Sequence, residues 1–132
     1  MNDIEQILGS RIGKIFSVSP FETVYQAMKK MAEHEVGALL VMDKDKLVGL
    51  ISERDYARMV MIERSSSEET RVADIMTKKL ICVTLKTSRK EAMSLMSKNN
   101  IRHLPVLDEG KTCVGVVSIR DFVQDLEDED EE

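Results

Sequence analysis

The chain repeats itself. Residues 18–46 align on 83–111 and, after one extra residue at Thr112, residues 47–55 align on 113–121. Thirteen of the 38 pairs are identical, among them Ala27/Ala92, Met28/Met93, Met31/Met96, Gly49/Gly115, Ser52/Ser118, Arg54/Arg120 and Asp55/Asp121. Self-similarity in register over a whole segment marks a duplicated supersecondary unit, here of about 50 residues. So short a unit buries too little apolar surface to stand alone. The two copies are therefore expected to share a core, most simply about a pseudo-two-fold axis.

Both copies carry the same pattern. A short apolar stretch (Ile15 to Val18; Leu80 to Val83) reads as a strand. Thr23-x-x-Gln26 and Ser88-x-x-Glu91 are capping boxes that open a helix. Val24, Ala27, Met28 and Met31, like Ala92, Met93 and Met96, recur at spacings that put them on one helix face. Two apolar runs with polar, Asp- and Lys-rich turns between them follow as a hairpin, and a second helix opens at SERD or SIRD. The predicted fold is mixed α+β, β-α-β-β-α twice. The copies span 8–62 and 72–126, joined by the polar linker 63–71 and followed by an acidic, disordered tail at 127–132.

Charge excludes some partners. Residues 125–132 hold seven of the 24 acidic residues, so the rest of the chain carries 19 basic against 17 acidic side chains. That nearly neutral body has no basic stripe, and five aromatic residues in the chain supply few stacking platforms, so nucleic acid is not the expected partner. The longest apolar run, Ala38 to Met42, is far too short to span a bilayer, and the N-terminal residues lack a signal-peptide core. No membrane association and a cytoplasmic location are expected. Cys82 and Cys113 stand 31 residues apart without metal-ligand or disulfide-framework spacing, and read as reduced, buried thiols.

The strongest chemical signal is the repeated heptad Gly49-Leu-Ile-Ser-Glu-Arg-Asp55 and Gly115-Val-Val-Ser-Ile-Arg-Asp121. Ser-x-x-Asp is on one reading a capping box with its carboxylate favoured by the helix dipole. That reading leaves the accompanying glycine and arginine unexplained. On the other reading, a helix N-terminus with free N–H groups, a hydroxyl and a guanidinium receives phosphate. The aspartate accepts hydrogen bonds from a vicinal diol, and the glycine admits a flat ring to the strand.

The repeat, the two GxxSxxD heptads, DIMT at Asp74 to Thr77 and RHLPV at Arg102 to Val106 together resemble the CBS (cystathionine-β-synthase-type) domain family, in its small tandem form. The resemblance implies a regulatory sensor that binds AMP, ADP, ATP, NAD(H) or S-adenosylmethionine in clefts between the repeats, requires no cofactor, and forms homodimers through its helices. Carried over by position, one cleft holds Asp121 on the ribose, Ser118 and Arg120 on the phosphate and Val116 beside the adenine. Arg102 stands near its phosphate, and Arg11, Ile15, Phe16, Val36 and Gly37 come from the partner repeat. The other cleft holds Asp55, Ser52, Arg54 and Leu50 in the same roles, with Met76, Thr77, Ile81 and Ile101. Gly37 stands where the second copy has Arg102, so the Asp121 cleft is expected to bind phosphorylated ligands more tightly.

Two other classes compete with this one. An interaction module that dimerises and keeps vestigial clefts has little physical reason to retain Ser and Asp in both copies. An enzyme needs an activated nucleophile or an acid–base pair. Ser118, His103 and Asp121 share a repeat, but no nucleophile elbow or oxyanion-hole signature accompanies them, and no metal motif is present. His34 is expected at the surface, and Met59 and Met61 in a dimer contact.

Overall fold

The computed structural model describes residues 3–131. In chain order its elements are α1 (Ile4–Leu8), β1 (Ser17–Val18), α2 (Val24–His34), β2 (Ala38–Asp43), β3 (Lys46–Ser52), α3 (Glu53–Arg58) and α4 (Val72–Ile75). These are followed by β4 (Val83–Thr84), α5 (Arg89–Asn99), β5 (His103–Leu107), β6 (Cys113–Ser118) and α6 (Ile119–Glu131). The predicted mixed α+β class holds, with two three-stranded sheets of order β1-β2-β3 and β4-β5-β6.

The compact units do not coincide with the sequence copies. One comprises residues 16–80, the other residues 1–15 with 81–132. Each sequence copy therefore surrenders the segment ahead of its first strand to the unit built on the other copy. Buried side chains explain this. Val72 of α4 is fully buried with Val24, Ile51 and Met59, while Ile4 and Leu8 of α1 are buried with Val117 and Phe122. Each such aliphatic side chain contributes about 1.5–3 kcal/mol on burial.

In the unit of residues 16–80, β1 runs parallel to β2, with Val18 beside Val41, and β2 pairs antiparallel with β3 through a bulge between Val41 and Met42. Thr23 caps α2 in a complete box with Gln26, and Val24, Ala27 and Met31 are buried on the expected face. The linker is not loose: the Ser67 and Thr70 carbonyls accept the N–H groups of Tyr25 and Val24, satisfying two orphan donors in the first turn of α2. Met59 is 1% exposed, inside this core, so its expected place in a dimer contact is corrected; Met61, in the π-helical turn Met59–Glu63, is 77% exposed.

The other unit repeats the pattern: Val83 pairs with Val106 in parallel, and β5 pairs with β6 antiparallel, bulged between Val106 and Leu107. Asp3 caps α1 through a reciprocal box with Gln6, and the N–H groups of Ile4 and Glu5 donate to the Thr87 and Leu85 carbonyls. The acidic stretch expected to be disordered from 127 continues the helix to Glu131; the last residue of that stretch, Glu132, lies outside the described residues. Buried Phe122 anchors the first turn of α6, and glutamate is a good helix former, so propagation outlasts the acidic composition. No helix among the described residues is long and apolar enough to cross a membrane.

Candidate functional site

Each heptad turns from a strand into a helix at its serine. Ser52 is extended (φ −127°, ψ 168°), and its Oγ accepts the Asp55 N–H at 3.3 Å. Asp55 returns the bond: its Oδ2 accepts from the Ser52 N–H at 2.9 Å and from the Ser52 hydroxyl at 3.1 Å. In the second heptad Asp121 Oδ2 accepts from the Ser118 N–H at 2.7 Å and from its hydroxyl at 3.3 Å. The Ser118 hydroxyl thus donates to the Asp121 carboxylate, as the Ser52 hydroxyl does to Asp55.

The outer oxygens of the two aspartates differ in partner. Thr77 Oγ1 donates to Asp55 Oδ1 at 3.3 Å, whereas Arg11 Nη2 lies 3.1 Å from Asp121 Oδ1 in an ion pair. A carboxylate has about four lone-pair directions. With three donors on each, at most one direction remains, so a vicinal diol that engages an aspartate with both hydroxyls must displace a donor. Thr77 and Arg11 are both exposed, which makes them the donors that can leave.

Two expectations about the heptads are corrected. The first N–H of each helix is not free: Glu53 N–H donates to the Gly37 carbonyl at 3.1 Å and Ile119 N–H to the Arg102 carbonyl at 3.0 Å. The glycines do not stand open for a flat ring. A Cβ on Gly49 would lie 2.6 Å from Met76 Sδ and 3.0 Å from the Thr77 carbonyl, and one on Gly115 would lie 3.0 Å from Leu8 Cδ1. Both glycines serve packing inside their own unit, where Leu50 and Thr77 exchange backbone hydrogen bonds at 3.0 and 2.8 Å.

The unit of residues 16–80 brings Ser52, Asp55, Leu50, Met76 and Thr77 together, with Arg54 in the first turn of α3. Met76 and Thr77 therefore stand with Asp55 in one unit, although they follow the linker in sequence. Phe16, Val36 and Gly37, expected to serve the ligand of Asp121, belong to this unit too; Phe16 stacks on exposed His34 with centroids 3.9 Å apart. The other unit holds Ser118, Arg120, Asp121, Val116, Arg102, Arg11 and Ile15. Ile81 and Ile101, assigned to the Asp55 cleft, pack against this second unit's core. Arg11, expected across from Asp121 on the partner repeat, lies in the same compact unit as Asp121 because Ile4 and Leu8 anchor its segment there.

Sequence reasoning passed over α1, whose Asp3-x-x-Gln6 box and Ile4/Leu8 spacing carry the same signals that announced α2. Cys82 and Cys113 are free thiols, both half-buried where full burial was expected. Burial pushes both upward from the ordinary thiol value of 9.0. Among the described residues no cluster of His, Cys, Asp or Glu could hold a metal ion.

Comparison with known proteins agrees with this architecture. The CBS domain family model matches twice, at residues 7–62 and 72–128. The CBS domain-containing protein CBSX3, mitochondrial, of Arabidopsis thaliana is 47% identical over 108 residues; the match takes in 78% of this chain and 52% of that protein, so the chain spans about half of its relative's length. A solved structure of a protein with CBS domains from Burkholderia ambifaria MC40-6 superposes with a TM-score of 0.89 at 44% identity, over 95% of this chain and 93% of that one. The CBS domain protein PAE2072 from Pyrobaculum aerophilum, solved in complex with AMP, gives 0.79 at 25% identity over 90% and 88% of the two chains. With two family matches covering most of its length, and each falling on a GxxSxxD heptad, the chain belongs to the CBS domain family.

Proposed function

We propose that the chain is a non-enzymatic regulatory module that binds an adenine nucleotide at each Ser–Asp motif and works as an energy or redox sensor. The observation that carries this reading is the twofold recurrence of one arrangement. A serine holds one carboxylate oxygen of Asp55 or Asp121 from the inside, and an exposed donor, Thr77 or Arg11, holds the other. The carboxylate is thereby oriented, and its outer oxygen stands behind an exchangeable bond, as a ribose diol requires. The AMP complex of the Pyrobaculum relative supports an adenosyl ligand. AMP, ADP, ATP, NAD(H) and S-adenosylmethionine all carry that moiety, and AMP and NAD(H) are the first choices.

A ligand of AMP's size, with about 23 heavy atoms at roughly 0.3 kcal/mol each, reaches a Kd on the order of 10 μM. At about 1 mM the linkage stabilisation is about 2.7 kcal/mol per site, which raises the melting midpoint by several degrees. A thermal-shift panel of AMP, ADP, ATP, NAD, NADH and S-adenosylmethionine tests this. A shift with at least one member supports the sensor, and a melt that no member moves leaves the interaction-module reading in its place. Homodimerisation belongs to the same proposal. The exposed Phe21, Tyr25, Val60, Met61 and Ile62, all on the unit of residues 16–80, favour a covered apolar face.

A further inference from the structure

The two aspartates are held differently, and the difference is chemical. The outer oxygen of Asp55 meets an uncharged hydroxyl, that of Asp121 a guanidinium. At the place that corresponds to Arg11 in the duplicated frame, 65 residues on, stands Met76. Arg11 closes the turn Gly9–Arg11, which is fixed from both sides: Leu8 is buried against Gly115, and Gly13 N–H donates to the Val114 carbonyl at 2.8 Å. The backbone of Arg11 is therefore anchored, while its side chain, 47% exposed against 20% for Asp121, has room to swing. A half-exposed ion pair is weak enough to be opened by a competing partner.

We propose that Arg11 is the specificity switch of the Asp121 site, selecting phosphorylated over unphosphorylated nucleosides by exchanging its partner. This rests on the nucleotide reading above and adds to it. With no ligand, Arg11 occupies the outer oxygen of Asp121 and opposes any diol that arrives. A nucleoside must break the ion pair and leaves the guanidinium in water. A nucleoside phosphate breaks the same pair but supplies an anion in its place, and the guanidinium fork matches phosphate as it matches carboxylate. Arg11 thus penalises the first ligand and rewards the second. The Asp55 site, with Thr77 in the outer position, makes no such distinction through that contact.

Calorimetric titration of the full-length chain with AMP and with adenosine tests the proposal, in an Asp55→Asn background that removes the other diol-binding carboxylate. Arg11→Met should tighten adenosine about threefold and weaken AMP about tenfold, collapsing the AMP preference about thirtyfold. Arg11→Lys, which keeps the charge but not the fork, should retain part of the preference, between that of the Arg11 protein and that of Arg11→Met. In the Arg11 protein the preference should fall as salt rises from about 0.05 M to about 0.5 M, a readout that needs no variant at position 11. A preference indifferent to Arg11→Met and to salt, or a Met variant that weakens both ligands equally, overturns the switch and leaves the nucleotide site standing. Failure of the Arg11 protein to bind either ligand removes the nucleotide reading itself, and the switch with it.

Discussion

Gly49 and Met76 approach so closely that a Cβ on the glycine would lie 2.6 Å from the methionine sulfur. The Thr77 carbonyl, a backbone atom, would stand 3.0 Å away on the same side. That carbonyl is bonded to Leu50 N–H, so it cannot retreat without losing the bridge that brings Thr77 to Asp55. Gly49→Ala is therefore expected to destabilise the protein by about 1–3 kcal/mol, the usual cost of overpacking. Gly115→Ala meets only the end of the Leu8 side chain and should cost less. Urea unfolding of the two variants checks the order; equal stabilities would contradict it.

Without ligand, Asp55→Ala should be more destabilising than Asp121→Ala. Asp55 is 9% exposed and satisfies the Ser52 N–H, so its loss strands a donor at a mostly buried position, at about 1–2 kcal/mol. Asp121 is more exposed, and its ion-pair partner Arg11 returns to water at little cost. Denaturant midpoints of the two variants decide it, and a larger loss for Asp121→Ala runs against the geometry.

The thiols carry a pH signature. Burial holds Cys82 and Cys113 above 9.0, at Cys113 in spite of opposing backbone hydrogen bonding at Gly115. The folded state keeps these protons at a pH where the unfolded chain has released them. Their contribution to stability is therefore complete below the unfolded thiol value and is lost as pH rises through the folded values. Stability should fall above about pH 9, less so in a Cys82→Ala/Cys113→Ala variant. Thiol-disulfide labelling at about pH 8 should be slower in the native protein than in urea, because the thiolate is the reactive form. Native rates matching those in urea would contradict the burial.

The exposed side chains of Met61 and Ile62, at 77% and 76%, sit beside Val60, 44% exposed, in one π-helical turn. If a second copy covers them, light scattering gives about twice 15.0 kDa for the protein, and a Met61→Glu/Ile62→Glu variant returns it to 15.0 kDa. A wild-type chain that runs as a monomer at tens of micromolar defeats the dimer.

The duplication made the fold legible, because Val24, Ala27 and Met31 and their counterparts report a helix face by spacing alone. The exchange of leading segments was not legible. It depends on which core buries Ile4, Leu8 and Val72, and a side chain's hydrophobicity does not say which of two similar cores receives it. The same limit moved Arg11 and Thr77 to the units of their aspartates. The Ser–Asp pairs were readable as local hydrogen-bonding patterns. The glycines were misread because their neighbours, Met76 and Leu8, are distant in sequence and close in space.

Titration of AMP into the wild-type chain, Asp55→Ala, Asp121→Ala and the double variant tests the nucleotide reading most directly. Two sites with Kd on the order of 10 μM are expected in the wild type. Each single variant should lose one site and the double variant both. AMP binding to the double variant as tightly as to the wild type, or no binding to the wild type at about 1 mM, would contradict the assignment of the Ser–Asp motifs as the ligand sites.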